Sequence, residues 1–189
     1  MFYRKLATRA ALAMVAGLGI ATTAWAASTA GSNVTVQTHV VNNCTISTTT
    51  QLAFGNYDPT SSTALTGNGA VTVTCTKGAS GVTLGLDNGA NYGLAGTYTT
   101  DRSMAGAAGG DYLAYQLFQP NGVGSSATAT TTAFGNSGTG LYTMPAFANG
   151  TTGVVVNIFG SIPINQDVTG AAGPGGNAYT DTVVATVTF

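Results

Sequence analysis

The sequence predicts an all-β domain, an antiparallel sandwich of two sheets. Three observations carry this. Short runs in which Val, Leu, Ile or Phe alternate with Thr recur along the chain, separated by Gly, Asn, Asp and Ser. The charged helix formers are scarce: five Lys or Arg, six Asp and no Glu in 189 residues. Beyond the first residues, no segment repeats apolar side chains at helical spacing. About seven short strands at this spacing fit a sandwich or a barrel, and nothing suggests the even hairpin lengths of a closed barrel.

Residues 1–26 read as a secretory signal peptide. Arg4, Lys5 and Arg9 precede an apolar stretch from Ala10 to Ile20, and Ala24-Trp25-Ala26 is a small-x-small cleavage site. The apolar stretch is about half the ~20 residues of a membrane span, which weighs against an anchor. Cleavage before Ala27 leaves 189 − 26 = 163 residues, the size of one domain. Lys77 and Arg102 then stand against Asp58, Asp87, Asp101, Asp111, Asp167 and Asp181, a net charge of 2 − 6 = −4. Two cations do not neutralise a phosphate backbone or hold an anionic lipid surface, so neither nucleic acid nor membrane is an expected partner. With 44% hydrophobic residues the chain also lacks the signature of disorder.

Taken in order, "SNVTVQTHVV" sets Val34, Val36, Thr38 and Val40 on one face of a strand, with Thr35, Gln37 and His39 on the other. "CTIS" and "LAFG" are shorter candidates. "AVTVTCT" aligns Val71, Val73 and Cys75 against Thr72, Thr74 and Thr76, and "VTLGLD" aligns Val82, Leu84 and Leu86. "YLAYQLF" (112–118), "VVVNIFGSI" (154–162) and the closing "TVVATVTF" complete the stronger set, while "SATATTTA" (126–133) reads as a loop or weak edge strand. "NYDPTSS", "TGNG", "DNGANYG", "AGAAGGD", "QPNGVGSS" and "GAAGPGGN" supply the turns. The last run, Val183, Ala185, Val187 and Phe189 on one face, is followed by no partner in the sequence. So apolar a strand needs one, or a blunted edge.

Cys44 and Cys75, both in the exported part, predict a disulfide. The loop it closes limits the unfolded ensemble by roughly 3–4 kcal/mol. Two sulfurs without a nearby His or further Cys make a poor metal site. His39 is the only histidine, and it lies on a polar strand face; without Glu or a G-x-S-x-G elbow, nothing assembles a nucleophile and a base. The six Asp sit in or beside turns, where they serve the backbone. "GNSGTG" (135–140) opens no helix that would cradle a phosphate. No enzyme, cofactor, metal or small-molecule substrate is expected.

The phrases "NNCTIS", "LAFGNYDP", "VTVTCTKG", "DRSM", "DYLAYQLF", "VNIFGSIP" and "AYTDTVVATVTF" stand in an order and spacing that resemble the spore coat protein U domain family, which includes subunits of archaic chaperone–usher pili. The similarity runs from about residue 33 to 189, with both cysteines in place and Phe159-Gly160-Ser161-Ile162-Pro163 as its clearest match. Phe134-Gly135 departs from the Trp-Gly often found in relatives.

The resemblance implies an incomplete immunoglobulin-like sandwich lacking its last strand. A periplasmic chaperone fills the gap first, and at an outer-membrane usher the N-terminal segment of another copy replaces it. On this reading residues 27–42 are a donor segment carrying Val34, Val36, Thr38 and Val40. Residues 43–189 form the pilin domain, with Val183, Ala185, Val187 and Phe189 edging the acceptor groove. The implied product is a surface pilus serving adhesion and biofilm formation. A spore-coat or matrix polymer is the alternative within the family. A tip adhesin would call for an extra binding domain, for which 163 residues leave no room.

Overall fold

The structure, a computed structural model, describes residues 29–98, 101–107, 109–170 and 178–189. The expected signal peptide, residues 1–26, lies outside them. The unit that carries the fold begins at His39.

Among the described residues, ten strands form two antiparallel sheets. They are β1 (Cys44–Ala53), β2 (Leu65–Cys75), β3 (Thr83–Leu86), β4 (Arg102–Gly106), β5 (Tyr112–Pro120), β6 (Ala129–Ala133), β7 (Tyr142–Thr143), β8 (Val154–Ile162), β9 (Tyr179–Thr180) and β10 (Ala185–Thr188). The larger sheet runs β1-β2-β8-β5-β4-β9, with β6 also on β5; the smaller runs β10-β3-β7. Phe118 pairs with Phe159 of β8 and with Ala133 of β6, so β4 and β6 share the other edge of β5 between them. This is an all-β, immunoglobulin-like sandwich.

Alternation in the sequence becomes burial in the fold. Val71, Val73 and Cys75 of β2 face inward with Leu84 and Leu86 of β3, joined by Val82, Leu113, Leu117, Phe134, Phe147, Val156 and Ile162. The threonines between the inward residues of β2 face out, as the period of two requires. At about 1.5–3 kcal/mol per fully buried aliphatic or aromatic side chain, this cluster supplies the main driving force for folding.

Three elements differ from the sequence reading, and a fourth resolves an alternative it left open. "CTIS" and "LAFG" merge into one strand, β1, because bulges between Thr48 and Thr50 and between Thr50 and Ala53 let a polar stretch stay in the ladder. "RSMAG" forms β4, whose mixture of polar and small residues hides its alternation. "SATATTTA" yields the edge strand β6. The closing run is two strands, not one: β9 pairs with β4 in the larger sheet, β10 with β3 in the smaller, and residues 181–184 cross between them.

The "LAFGNYDP" and "VNIFGSIP" motifs are halves of one packing unit. A Cβ on Gly160 would stand 2.5 Å from Cζ of Phe54, so glycine here makes room for that ring. Phe54 in turn meets the Tyr115 ring edge-on at 6.0 Å. The Tyr57 hydroxyl donates to the Pro163 carbonyl at 2.9 Å and accepts from the Gln166 N–H at 3.0 Å. Asn165, at φ 60°, turns the chain so that the buried Gln166 amide reaches β5 beyond the end of β8. Its Oε1 accepts from Ala114 N–H at 2.7 Å and its Nε2 donates to the Ala114 carbonyl at 2.9 Å. A side chain thus completes a ladder rung that no strand supplies.

Gln166→Leu leaves both Ala114 groups buried without partners. Its expected cost is about 2–4 kcal/mol, at ~1–3 kcal/mol for each orphaned group with some relaxation, measured by urea denaturation with the disulfide intact. A loss below about 0.5 kcal/mol would show that the rung is dispensable.

Candidate functional site

The two sheets each end on an unpaired strand, and those strands border one another. β1 pairs only with β2, and β10 only with β3, among the described residues. The two come within 8 Å, Cα to Cα, without sharing a ladder. Cys44, Ile46, Leu52 and Phe54 from the β1 side pack against the core cluster yet stay half-buried, and so do Val183, Ala185 and Val187 from the β10 side. One strand further in on either side, Val73 and Leu84 are both 0% exposed. Among the described residues, the core is thus only half covered where these two free edges border one another. A hollow of about 480 Å³ lies by the end of β1, lined by Leu52, Phe54, Tyr57, Met104, Val168 and Tyr179.

Position of the β10 edge depends on how residues 181–184 change sheets. Asp181 anchors the start of the crossing: Oδ1 accepts from Ala90 N–H at 2.9 Å and Asn91 Nδ2 at 3.2 Å, and Oδ2 accepts from the Tyr115 hydroxyl at 2.6 Å. Asp87 anchors the end. Its Oδ1 accepts from Val184 N–H at 2.9 Å, and its own N–H donates to the Val184 carbonyl at 3.0 Å.

Beneath the crossing lies Arg102, 7% exposed. Nε donates to the Asp87 carbonyl at 2.8 Å, and Nη2 to the carbonyls of Leu86 at 3.1 Å and Phe134 at 2.7 Å. Burial pushes the Arg102 pKa down, and the neighbouring Tyr115, Asp87 and Asp181 oppose that. The same burial, reinforced by the bond to Asp181, drives the Tyr115 phenol far above its ordinary range, so it remains a neutral donor. Only Arg has the planar fork to satisfy three carbonyls at once. Those carbonyls belong to the end of β3 and to the segment after β6, while Arg102 itself opens β4, so one guanidinium joins the two sheets.

The sequence-predicted residues are placed as follows. Cys44 and Cys75 are joined, at directly opposed positions of β1 and β2. Val34, Val36 and Val40 are 84%, 89% and 81% exposed, and Thr38 is exposed; residues 29–43 belong to no ladder, because a strand requires a partner. Val183, Ala185 and Val187 line the open edge, while Phe189, beyond β10, is 58% exposed. His39 is exposed. The aspartates extend past local turns. Asp58 closes one, accepting from Thr60 N–H at 2.8 Å, but Asp87, Asp111 and Asp181 tie segments 58 or more residues apart. Among the described residues, no three His, Cys, Asp or Glu come together as metal ligands would, and no helix is long and apolar enough to cross a membrane.

Residues 30–186 match the Spore Coat Protein U domain. The chain belongs to this family. No curated protein matches it. The Spore Coat Protein U match begins at Ala30, so the exposed valine segment lies within the family's domain and not ahead of it. Sequence reading missed Arg102 and Gln166 as keystones. The signal for Arg102 was present: in a chain so poor in charge, a cation set beside the apolar "SMAG" is placed for burial.

Arg102→Met keeps the length of the side chain and removes the fork, leaving three carbonyls without donors. Its expected cost is roughly 2–4 kcal/mol, read from the urea midpoint of disulfide-intact protein, and Arg102→Lys recovers less than half. Full recovery by Lys would show that charge alone, not the fork, matters.

Proposed function

We propose that this protein is an exported structural subunit that polymerises head-to-tail by donor-strand exchange. The single observation behind the reading is the line of half-buried apolar residues between the free edges of β1 and β10, in a chain whose alternating Val34, Val36 and Val40 have no cover of their own. Membership in the Spore Coat Protein U family fits a pilin-type subunit. The inserted strand is residues 27–42 of another copy, with Val34, Val36, Thr38 and Val40 facing inward between Val183, Ala185, Val187 and Phe189 on one side and β1 on the other.

Burying three valines at ~1.5–3 kcal/mol each contributes roughly 5–9 kcal/mol, to which the new ladder bonds add. Donor and acceptor occupy different surfaces of one molecule, so the contact is heterologous and propagates an open fibre. An exposed apolar groove needs cover before assembly. A periplasmic chaperone lends a strand, and exchange takes place at an outer-membrane usher. The product is a cell-surface pilus for adhesion and biofilm formation. A coat or matrix polymer, which the family's description suggests, would use the same contact; adjacent chaperone and usher genes would decide for the pilus.

Deleting Ala27–Val41 is expected to abolish polymers while leaving chaperone capture intact. Wild-type polymers should ladder on SDS gels without boiling and collapse to monomer with it. Ladders from the deletion variant would overturn strand exchange through this segment. Expressed without a chaperone, the protein is expected to aggregate; a stable, soluble, non-laddering monomer would contradict the open groove.

A further inference from the structure

The backbone just ahead of β1 is held by a side chain. Thr76, the residue after β2, directs Oγ1 toward the carbonyls of Val41 and Asn43, each at 3.3 Å, and that oxygen accepts from Asn43 N–H at 3.0 Å. The Thr76 N–H donates to the Asn43 carbonyl at 2.9 Å. One residue thus ties the chain at both ends of Val41–Asn43, next to the Cys44–Cys75 disulfide. Asn42 and Asn43 stay out of the left-handed region, since Asn165 is the only non-glycine with positive φ among the described residues.

Strand geometry identifies what this hold prevents. A chain reversing just before Cys44 would lie antiparallel along the free edge of β1 and fill the groove from within its own molecule. Directly opposed residues share a face of the sheet. The valines therefore point into the core only in registers that set an even-numbered residue opposite Cys44, and the tightest of these places Val40 opposite Cys44 and Thr38 opposite Ile46, the inward residues of β1. That register makes Val41-Asn42-Asn43 a three-residue hairpin loop, whose last position takes the left-handed conformation that Asn accepts. A two-residue turn at Asn42-Asn43 would instead place Val41 opposite Cys44 and turn His39 and Gln37 inward. The tightest productive self-closure hinges on the three residues that Thr76 spans.

We propose that the Thr76 hydroxyl is a clasp that stops the N-terminal segment from closing on its own groove, leaving both free for a neighbouring copy. This rests on the reading of residues 27–42 as the exchanged strand. Self-closure is unimolecular while exchange depends on concentration, so the clasp matters most in dilute protein.

Thr76→Val removes the hydroxyl at nearly constant shape, and Thr76→Ser keeps it. Disulfide-intact protein refolded by dilution at low concentration is run unboiled on SDS gels. Thr76→Val is expected to raise SDS-resistant compact monomer relative to ladder by roughly two- to tenfold, the range that loss of a net hydrogen bond gives. Thr76→Ser should ladder as wild type. Adding Asn43→Pro to Thr76→Val should restore the ladder, since proline cannot enter the left-handed loop position. Equal monomer in Thr76→Val and wild type overturns the clasp. So does a double variant that fails to recover, because the effect would then be general destabilisation. Ladders from protein lacking 27–41 would instead remove the strand-exchange reading beneath the clasp.

Discussion

The Arg102 guanidinium is the interaction on which the sandwich depends. Two sheets that share a core still need their ends aligned, and this one is aligned by a cation donating to carbonyls at the end of β3 and after β6. A buried charge costs several kcal/mol unless its donors are satisfied, so the site tolerates little displacement of those carbonyls. That rigidity extends to the functional edge. Asp87, whose carbonyl Arg102 holds, also binds Val184, and Asp181, bound by Tyr115, fixes where the chain leaves the larger sheet. β10 is presented at the open line because the polar network beneath it is closed.

The same molecule combines a core packed to zero exposure with a seam where apolar side chains remain half covered. A random packing fault would be filled by collapse of neighbouring strands. Here collapse is resisted from both sides: the disulfide and β2 hold β1, and the Asp181–Asp87 crossing holds β10. A half-covered seam held by covalent and buried polar constraints suits the proposed entry of a strand from another copy. In the proposed assembly, the free energy withheld from the monomer's fold is released at the subunit contact.

The family motifs acquire physical meaning once their contacts are known. The glycine of "VNIFGSIP" seats the phenylalanine of "LAFGNYDP", and the tyrosine of the second motif binds the proline carbonyl of the first. The tyrosine in "DYLAYQLF" binds the aspartate in "AYTDTVVATVTF", and the arginine of "DRSM" lies beside both. Each motif is weak alone because half of its reason lies elsewhere in the chain. "RSMAG" was unreadable as a strand for that reason, since its arginine answers to carbonyls 15 to 32 residues away.

By itself the sequence determined whatever depends on period and local chemistry. Alternation assigned the inward faces of β2 and β3, turn residues separated the strands, and two cysteines in a chain read as exported implied their bond. These are short-range properties, because a side chain's face follows from its neighbours' spacing. Only the tertiary structure decided that "YTDTVVATVTF" is two strands in two sheets, since the break is imposed by Ala90, Asn91 and Tyr115, which bind Asp181 from 66 to 91 residues away in the chain. Likewise, period alone made Val183, Ala185 and Val187 inward-facing. That they border a free edge instead of a covered one follows from which strands found partners, and pairing is a property of the whole fold.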